Sequence, residues 1–367
     1  MYPTGEGSNE FIMKHNHWNK KAAYIPTLIL TLTAATMLTA CGGTATGAEK
    51  ADAAGTGEKD IQIAFIIDRL GDNAANDESY RGIQEFEAET GIKVTTVEAP
   101  ELQDHEINAR TFAQEGYDLI VDGTSFTSEL YEAIAPEFPD SHFVIVDGTV
   151  SDQENVTSLR CRPEEAAFLT GAFNVLMNQE MGGENKAAFI GGMRNPDLER
   201  SQYGFTAGAE YVGGEATVVY VGNFTDVAKG KEIALQLYNN GMKLVQAFAG
   251  GAGMGVYQAA ESMGDSVYSI GGAAGQFNLS DSIIASQVKL TGNPIYDSCM
   301  KFRDGGLESG IQMFGLKEGA VGIKYNPLHE DQVPEDIVKQ INELQEKIVN
   351  GELVPPSTED EFNAFGK

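Results

Sequence analysis

Cysteine, histidine and positive charge are all scarce in this chain, and each shortage removes a class of function. There are three cysteines and five histidines in 367 residues. No HExxH, CxxC or Cys/His spacing occurs, so neither a zinc site nor a thiol redox motif is expected. No GxSxG or paired nucleophile and base stands out, so no catalytic set is expected. Lysine and arginine number 25 against 54 acidic residues, a formal charge of -29. A surface so acidic repels nucleic acid and anionic lipid headgroups. No cofactor is expected either. The glycine run Gly250–Gly255 lies deep in the chain and lacks the GxGxxG spacing of a dinucleotide loop.

Long apolar runs are also few. The run Ala22–Ala40 follows Lys20 and Lys21, is diluted by Pro26 and several threonines, and closes on Leu38-Thr39-Ala40-Cys41. A basic flank, a short apolar stretch and small residues make a secretory signal rather than a transmembrane span. A cysteine at that point is the acceptor pattern of a bacterial lipoprotein. The expectation is that residues 1–40 are removed and that Cys41 is acylated, anchoring the protein outside the cell membrane. Met13 before Lys14 reads as a better start than Met1. Residues 41–59 are small and charged, with no large apolar side chain, and read as a flexible tether. Cys161 and Cys299 favour two buried free thiols over a disulfide.

What is present is a strong alternation of strand and helix. Ile61–Ile67 is dense enough to be a strand buried on both faces. The pattern predicts a helix over Asp77–Thr90 closed by Gly91, and continues to a restart at Lys186–Gly191. The expected architecture is α/β, with two doubly wound, mostly parallel sheets, one per lobe. The restart near Lys186 divides the chain into two similar α/β lobes. In such sheets a ligand binds beyond the carboxyl ends of the strands. The residues there are the candidates. Asn76 and Asp77 read as helix caps or as polar ligand contacts, and Tyr80 as a surface ring or a stacking face. Asp122 and Asp147 each follow a buried strand and read equally as turn residues. Met193, Phe224, Phe248, Gly250, Gly251, Gly272 and Gln276 stand at the strand ends of the second half. Lys289 is a lone cation there, either solvated or a ligand's anchor.

Several of these segments together resemble the basic membrane protein family, substrate-binding lipoproteins of ABC importers typified by a purine nucleoside receptor. The segments are Asp77-Glu78-Ser79-Tyr80, Phe189-Ile190-Gly191-Gly192-Met193 with Pro196, Asn223–Lys231 and Ala249–Ala260. The resemblance implies a type I periplasmic-binding-protein fold with three crossovers, near Arg160–Glu164, Asp281–Ile283 and Gly319–Lys324, and so residues 60–162 with 283–320 in lobe 1 and 163–282 with 321–355 in lobe 2. It also implies a ligand in the cleft, delivery to an ABC permease with its ATPase subunits, and no enzymatic turnover. A surface sensor without transport and a nucleoside-processing enzyme are the alternatives. In the family the base stacks on aromatic rings and carboxylates hold the ribose. Tyr80, Asp77, Asp147 and Lys289 match family positions, and Phe224 is the candidate second ring, with Phe248 in reserve. The departure is Gly272-Ala273-Ala274-Gly275-Gln276, where the family carries two acids. Lys289 is therefore expected to lack an acidic partner and to be free for an anionic or carbonyl group. That makes the expected ligand an atypical nucleoside, a free base or another small polar metabolite.

Overall fold

The computed structural model describes residues 61–366. The expected signal, Cys41 and the tether lie outside the described residues. The chain begins with β1 (Ile63–Ile67), α1 (Ala75–Thr90), β2 (Val94–Glu98), α2 (Leu102–Gln114), β3 (Leu119–Asp122), α3 (Ser128–Ile134), β4 (His142–Val146) and β5 (Val156–Cys161). It crosses at Arg162 into α4 (Pro163–Glu180), β6 (Lys186–Gly191), α5 (Pro196–Tyr211), β7 (Glu215–Tyr220), α6 (Val227–Asn239), β8 (Leu244–Phe248), α7 (Gly253–Met263), β9 (Tyr268–Gly271) and β10 (Ile283–Lys289). It then returns through α8 (Gly292–Arg303) and β11 (Gly310–Phe314), and ends with β12 (Val321–Tyr325), α9 (Glu335–Val349) and α10 (Glu359–Ala364).

Two six-stranded sheets result. Their orders are β11-β5-β4-β3-β1-β2 and β12-β10-β9-β8-β6-β7. Every pairing is parallel except β10 with β12, which is antiparallel. The alternation of strand side chains explains the layering. In β1, Ala64 and Ile66 pack on Ala109, Phe112 and Tyr131 of α2 and α3. Ile63, Phe65 and Ile67 point the other way, onto Ile83 and Phe86 of α1 and Ile295 of α8. The second sheet is covered likewise. Ala188 and Ile190 of β6 face α6 and α7, and Ala187 and Phe189 face α4 and α5.

The structure moves one boundary. Ile283–Lys289, expected to open the return into lobe 1, is a central strand of the second sheet, between β9 and β12. The chain crosses back only after Lys289. No helix separates β9 from β10, and the loop over 272–282 joins two neighbouring strands of one sheet instead of crossing to the other. Strand β11 was not foreseen, because it is a half-exposed edge strand without a continuous apolar run. The short α10, beyond the expected end of lobe 2, was not foreseen either. Gly91 closes α1 as expected, with φ 74° and its N–H bonded to Glu87 O. Cys161 and Cys299 are both buried and unpaired, and burial pushes the Cys299 thiol up to about 12.

Helices α4 and α5 meet backbone to backbone. A Cβ on Gly171 would lie 2.0 Å from Phe205 O, and one on Gly208 would lie 2.0 Å from Phe168 O. Gly204 is equally tight, 2.3 Å from Glu164 O. An added methyl must push the helices apart, at a cost of about 1–3 kcal/mol. Gly171→Ala and Gly208→Ala are each expected to lower stability in urea unfolding by about that amount, and together by less than the sum, since both open one contact. Unchanged midpoints would contradict this packing. A second prediction concerns His142, whose Nε2 meets Thr157 Oγ1 at 2.8 Å. Burial pushes its pKa from 6.5 down to about 4. The unfolded chain takes a proton that the folded one refuses. This contribution is therefore present above 6.5 and is lost as pH falls towards 4. His142→Gln should lose less stability than the parent over that window, read by thermal melts at stepped pH.

Candidate ligand-binding site

The carboxyl ends of the strands bring a buried charge cluster together. Lys289 is the last residue of β10, and its backbone N–H donates to Ala273 O at 3.0 Å. Its ammonium donates to Asp147 Oδ2 at 2.8 Å and to Asp197 Oδ2 at 2.6 Å. Asp147 follows β4 of the first lobe, with φ 53°, and its Oδ2 also accepts from Ser125 Oγ–H at 2.7 Å. Asp197 stands in the first turn of α5 in the second lobe. One ammonium is therefore held by carboxylates from both lobes. Burial disfavours the Lys289 charge, but the two carboxylates outweigh it and hold the pKa above the usual lysine range. Burial also acts on Asp147, and the nearby Lys289 and the Ser125 bond still bring its pKa below the usual value. For Asp197 burial prevails and the pKa is raised. Beside this cluster Arg200 donates to Glu164 Oε1 at 2.7 Å and to Cys161 O at 3.1 Å, closing the base of the crossover at Arg162.

The expectation that Lys289 lacks an acidic partner is thus corrected. The two acids absent from the Gly272–Gln276 loop are not needed to neutralise it, because Asp147 and Asp197 reach it from other elements. Asp197 was missed in the sequence for a definite reason. Asn195-Pro196-Asp197 is an ordinary helix start, with Asn195 Oδ1 accepting from Leu198 N–H at 2.9 Å, proline at the first helical position and an acid in the first turn. Nothing in that pattern points across the molecule.

The other candidates separate into three groups. Phe224, Met193, Gly250 and Gly251 gather at the ends of β6 and β8. The Phe224 ring lies over Gly192, where a Cβ would come within 2.3 Å of it, and touches the Gly250 position at 3.4 Å. Met193 is exposed. Phe248 and Gly272 adjoin each other, with 3.3 Å from a Gly272 Cβ to the Phe248 ring. Through Ala273 this patch runs into Lys289. The second group joins the lobes. Gln276 Oε1 accepts from Tyr257 O–H at 2.7 Å and from Gly272 N–H at 3.0 Å, while its amide nitrogen donates to Asn73 O at 2.7 Å. Asp77 shapes the same loop, its two oxygens accepting from Gly71 and Asn73 N–H at 2.7 and 2.8 Å. Asp77 is therefore a loop brace here, and the helix starts before Asn76 with Asp72 as the capping acid. Tyr80 is half-buried and one face of its ring stacks on Phe65 at 6.1 Å.

Asp122 stands apart, and its expected place at the cleft is corrected. It is fully buried. Its Oδ2 meets His105 Nδ1 at 2.9 Å and accepts from Tyr131 O–H at 3.0 Å, and its Oδ1 accepts from Thr124 N–H at 3.0 Å. It is the last residue of β3, and strand alternation turns it towards α2 and α3. A cavity of about 490 Å³ lies on the Arg200 side of this cluster, lined by Arg160, Pro196, Arg200, Tyr203, Ile311 and Met313 among others. None of the candidate residues lines it.

Removing one partner from a buried ion pair leaves uncompensated charge, at a cost of about 3–5 kcal/mol. Lys289→Met is expected to destabilise the protein by about that much at neutral pH. The loss should shrink on acidification, because Asp147 and Asp197 then keep a proton in the folded state. Urea unfolding at two pH values checks both parts, and a pH-independent loss would contradict the charge argument.

Comparisons with known proteins identify the family. Residues 61–359 match the family model described as ABC transporter substrate-binding protein PnrA-like. The chain is 31% identical over 340 residues to the ABC transporter nucleoside-binding protein BmpA of Lactococcus lactis subsp. cremoris, covering 85% of this chain and 94% of that one. It is 27% identical to basic membrane protein A of Borreliella burgdorferi, covering 83% and 91%. A solved ABC transporter solute-binding protein from Aeropyrum pernix K1 superposes with TM-score 0.74 at 25% identity, covering 83% of this chain and 96% of that one. The chain belongs to the family of PnrA-like ABC transporter substrate-binding proteins.

Proposed function

We propose that the protein captures a neutral nucleoside-like solute between its two lobes and delivers it to an ABC permease, without turning it over. The observation that carries this reading is the Lys289 ammonium, held at strand ends by Asp147 of one lobe and Asp197 of the other. A hydroxyl-rich group suits such a cluster, and the half-buried rings of Phe224 and Phe248 with the exposed Met193 offer aromatic and apolar surface to a flat ring. The similarity to a relative named as nucleoside-binding supports the ligand class. Among the described residues no helix is long and apolar enough to cross a membrane. In this reading the anchor is acylated Cys41, and the stretch to Lys59 keeps the binding body near the permease, raising its effective concentration there.

Calorimetry with adenosine, guanosine and inosine tests the ligand class. Micromolar or tighter binding is expected, and Phe224→Ala should weaken it by about tenfold or more, the loss of a stacking contact worth roughly 0.5–1.5 kcal/mol plus its buried area. Binding of a simple sugar or amino acid in place of every nucleoside would overturn the reading. Conversion of the bound nucleoside during incubation would favour the nucleoside-processing enzyme instead.

A further inference from the structure

Asp197 is the cleft residue that neither the sequence pattern nor the family comparison singles out, and its contact is the shorter of the two made by the Lys289 ammonium. We infer that Asp197 is a positioning residue that fixes Lys289 and sets the cleft to accept hydroxyl-bearing neutral solutes and to reject phosphorylated ones. This inference rests on the solute-receptor reading above.

The argument begins with valence. An ammonium has three N–H donors, and Asp147 and Asp197 occupy two of them. Asp147 Oδ1 is buried and has no hydrogen-bond partner. A hydroxyl can satisfy both groups at once, donating to Asp147 Oδ1 and accepting from the third N–H of Lys289. A fully deprotonated phosphate oxygen has no proton to give that oxygen. Charge points the same way. Two carboxylates around one ammonium leave a net charge of -1, and the neighbouring Arg200 is matched by Glu164. The cluster as a whole therefore repels a phosphate. At an intermediate dielectric one unit charge at a separation of several ångströms amounts to roughly a hundredfold in affinity. Asp197 supplies the carboxylate that turns this balance negative. Without it, Lys289 and Asp147 would be a neutral pair and the lysine would be free to swing towards an anion. The positive end of the α5 dipole also favours an acid at this position. The partner of Asp197 is Lys289 at 2.6 Å, and this ion pair opposes the burial that raises its pKa.

The test compares the parent, Asp197→Asn and Asp197→Glu, each as the full chain. Adenosine and adenosine 5′-monophosphate are titrated calorimetrically. The parent should prefer adenosine strongly. Asp197→Asn should narrow the preference by about tenfold or more, the loss of one unit charge near the ligand, and Asp197→Glu should restore it. A ratio unchanged in Asp197→Asn would overturn the specificity claim. A second readout needs no ligand. The Lys289 ammonium protons, held in two bonds and buried, should exchange slowly enough to appear in nitrogen-detected NMR of the parent and of Asp197→Glu, and should vanish in Asp197→Asn. Their persistence in Asp197→Asn would overturn the positioning role. If no nucleoside binds the parent while these signals behave as expected, the nucleoside reading falls and the positioning role stands.

Discussion

A buried ammonium between two carboxylates is the contact on which the arrangement of the two lobes depends. Lys289 belongs to the second sheet, Asp147 to the first, and Asp197 to the helix that covers the second. Taking such charges out of water is expensive, and the expense is offset only when the geometry satisfies the ions. Here the ammonium has carboxylates on two sides, and Asp147 has a further bond from Ser125. One acceptor of this cluster, Asp147 Oδ1, is buried without a hydrogen-bond partner. A buried acceptor left in that state carries a desolvation cost that a hydrogen-bond donor would relieve.

The scaffold beneath this cluster is ordinary α/β physics. Each central strand is buried on both faces and is covered by helices on both. The rigidity that matters most comes from α4 and α5, whose glycines let their backbones touch. Helix α4 receives the chain directly from the first lobe and α5 carries Asp197, so this close contact ties the crossover to the charge cluster. Arg200, also on α5, reaches back to Glu164 and to the carbonyl of Cys161 and fastens the same corner. Opening of the lobes about such crossovers is the usual motion of two-lobed binding proteins. An opening of that kind would separate the Lys289–Asp147 and Gln276–Asn73 contacts together.

Much of this was legible in the residues. The helix end at Gly91, the restart at Lys186 and the concentration of polar and glycine residues after the strands all follow local rules, and all three appear in the structure. The position of Lys289 at a strand end was legible too. Edge strand β11 was not, because a half-exposed strand carries little apolar signal. Nor was the sheet to which Ile283–Lys289 belongs, since the same buried strand pattern fits either sheet. Asp122 and Asp147 look alike in sequence, each an acid after an apolar run. One turns into the core towards His105 and the other towards Lys289.

The sequence by itself determined the alternation of strand and helix, the absence of the familiar catalytic motifs, the acidic surface and the residues that end each strand. These depend on composition and short-range periodicity, which a linear chain carries openly. Only the tertiary structure decided which strand ends share a site. It gave Lys289 the partner that the nearby loop lacks, from a helix start 92 residues away. Charge neutrality in a buried site is satisfied through space, so an acid on any element within a few ångströms serves as well as a neighbour in the chain.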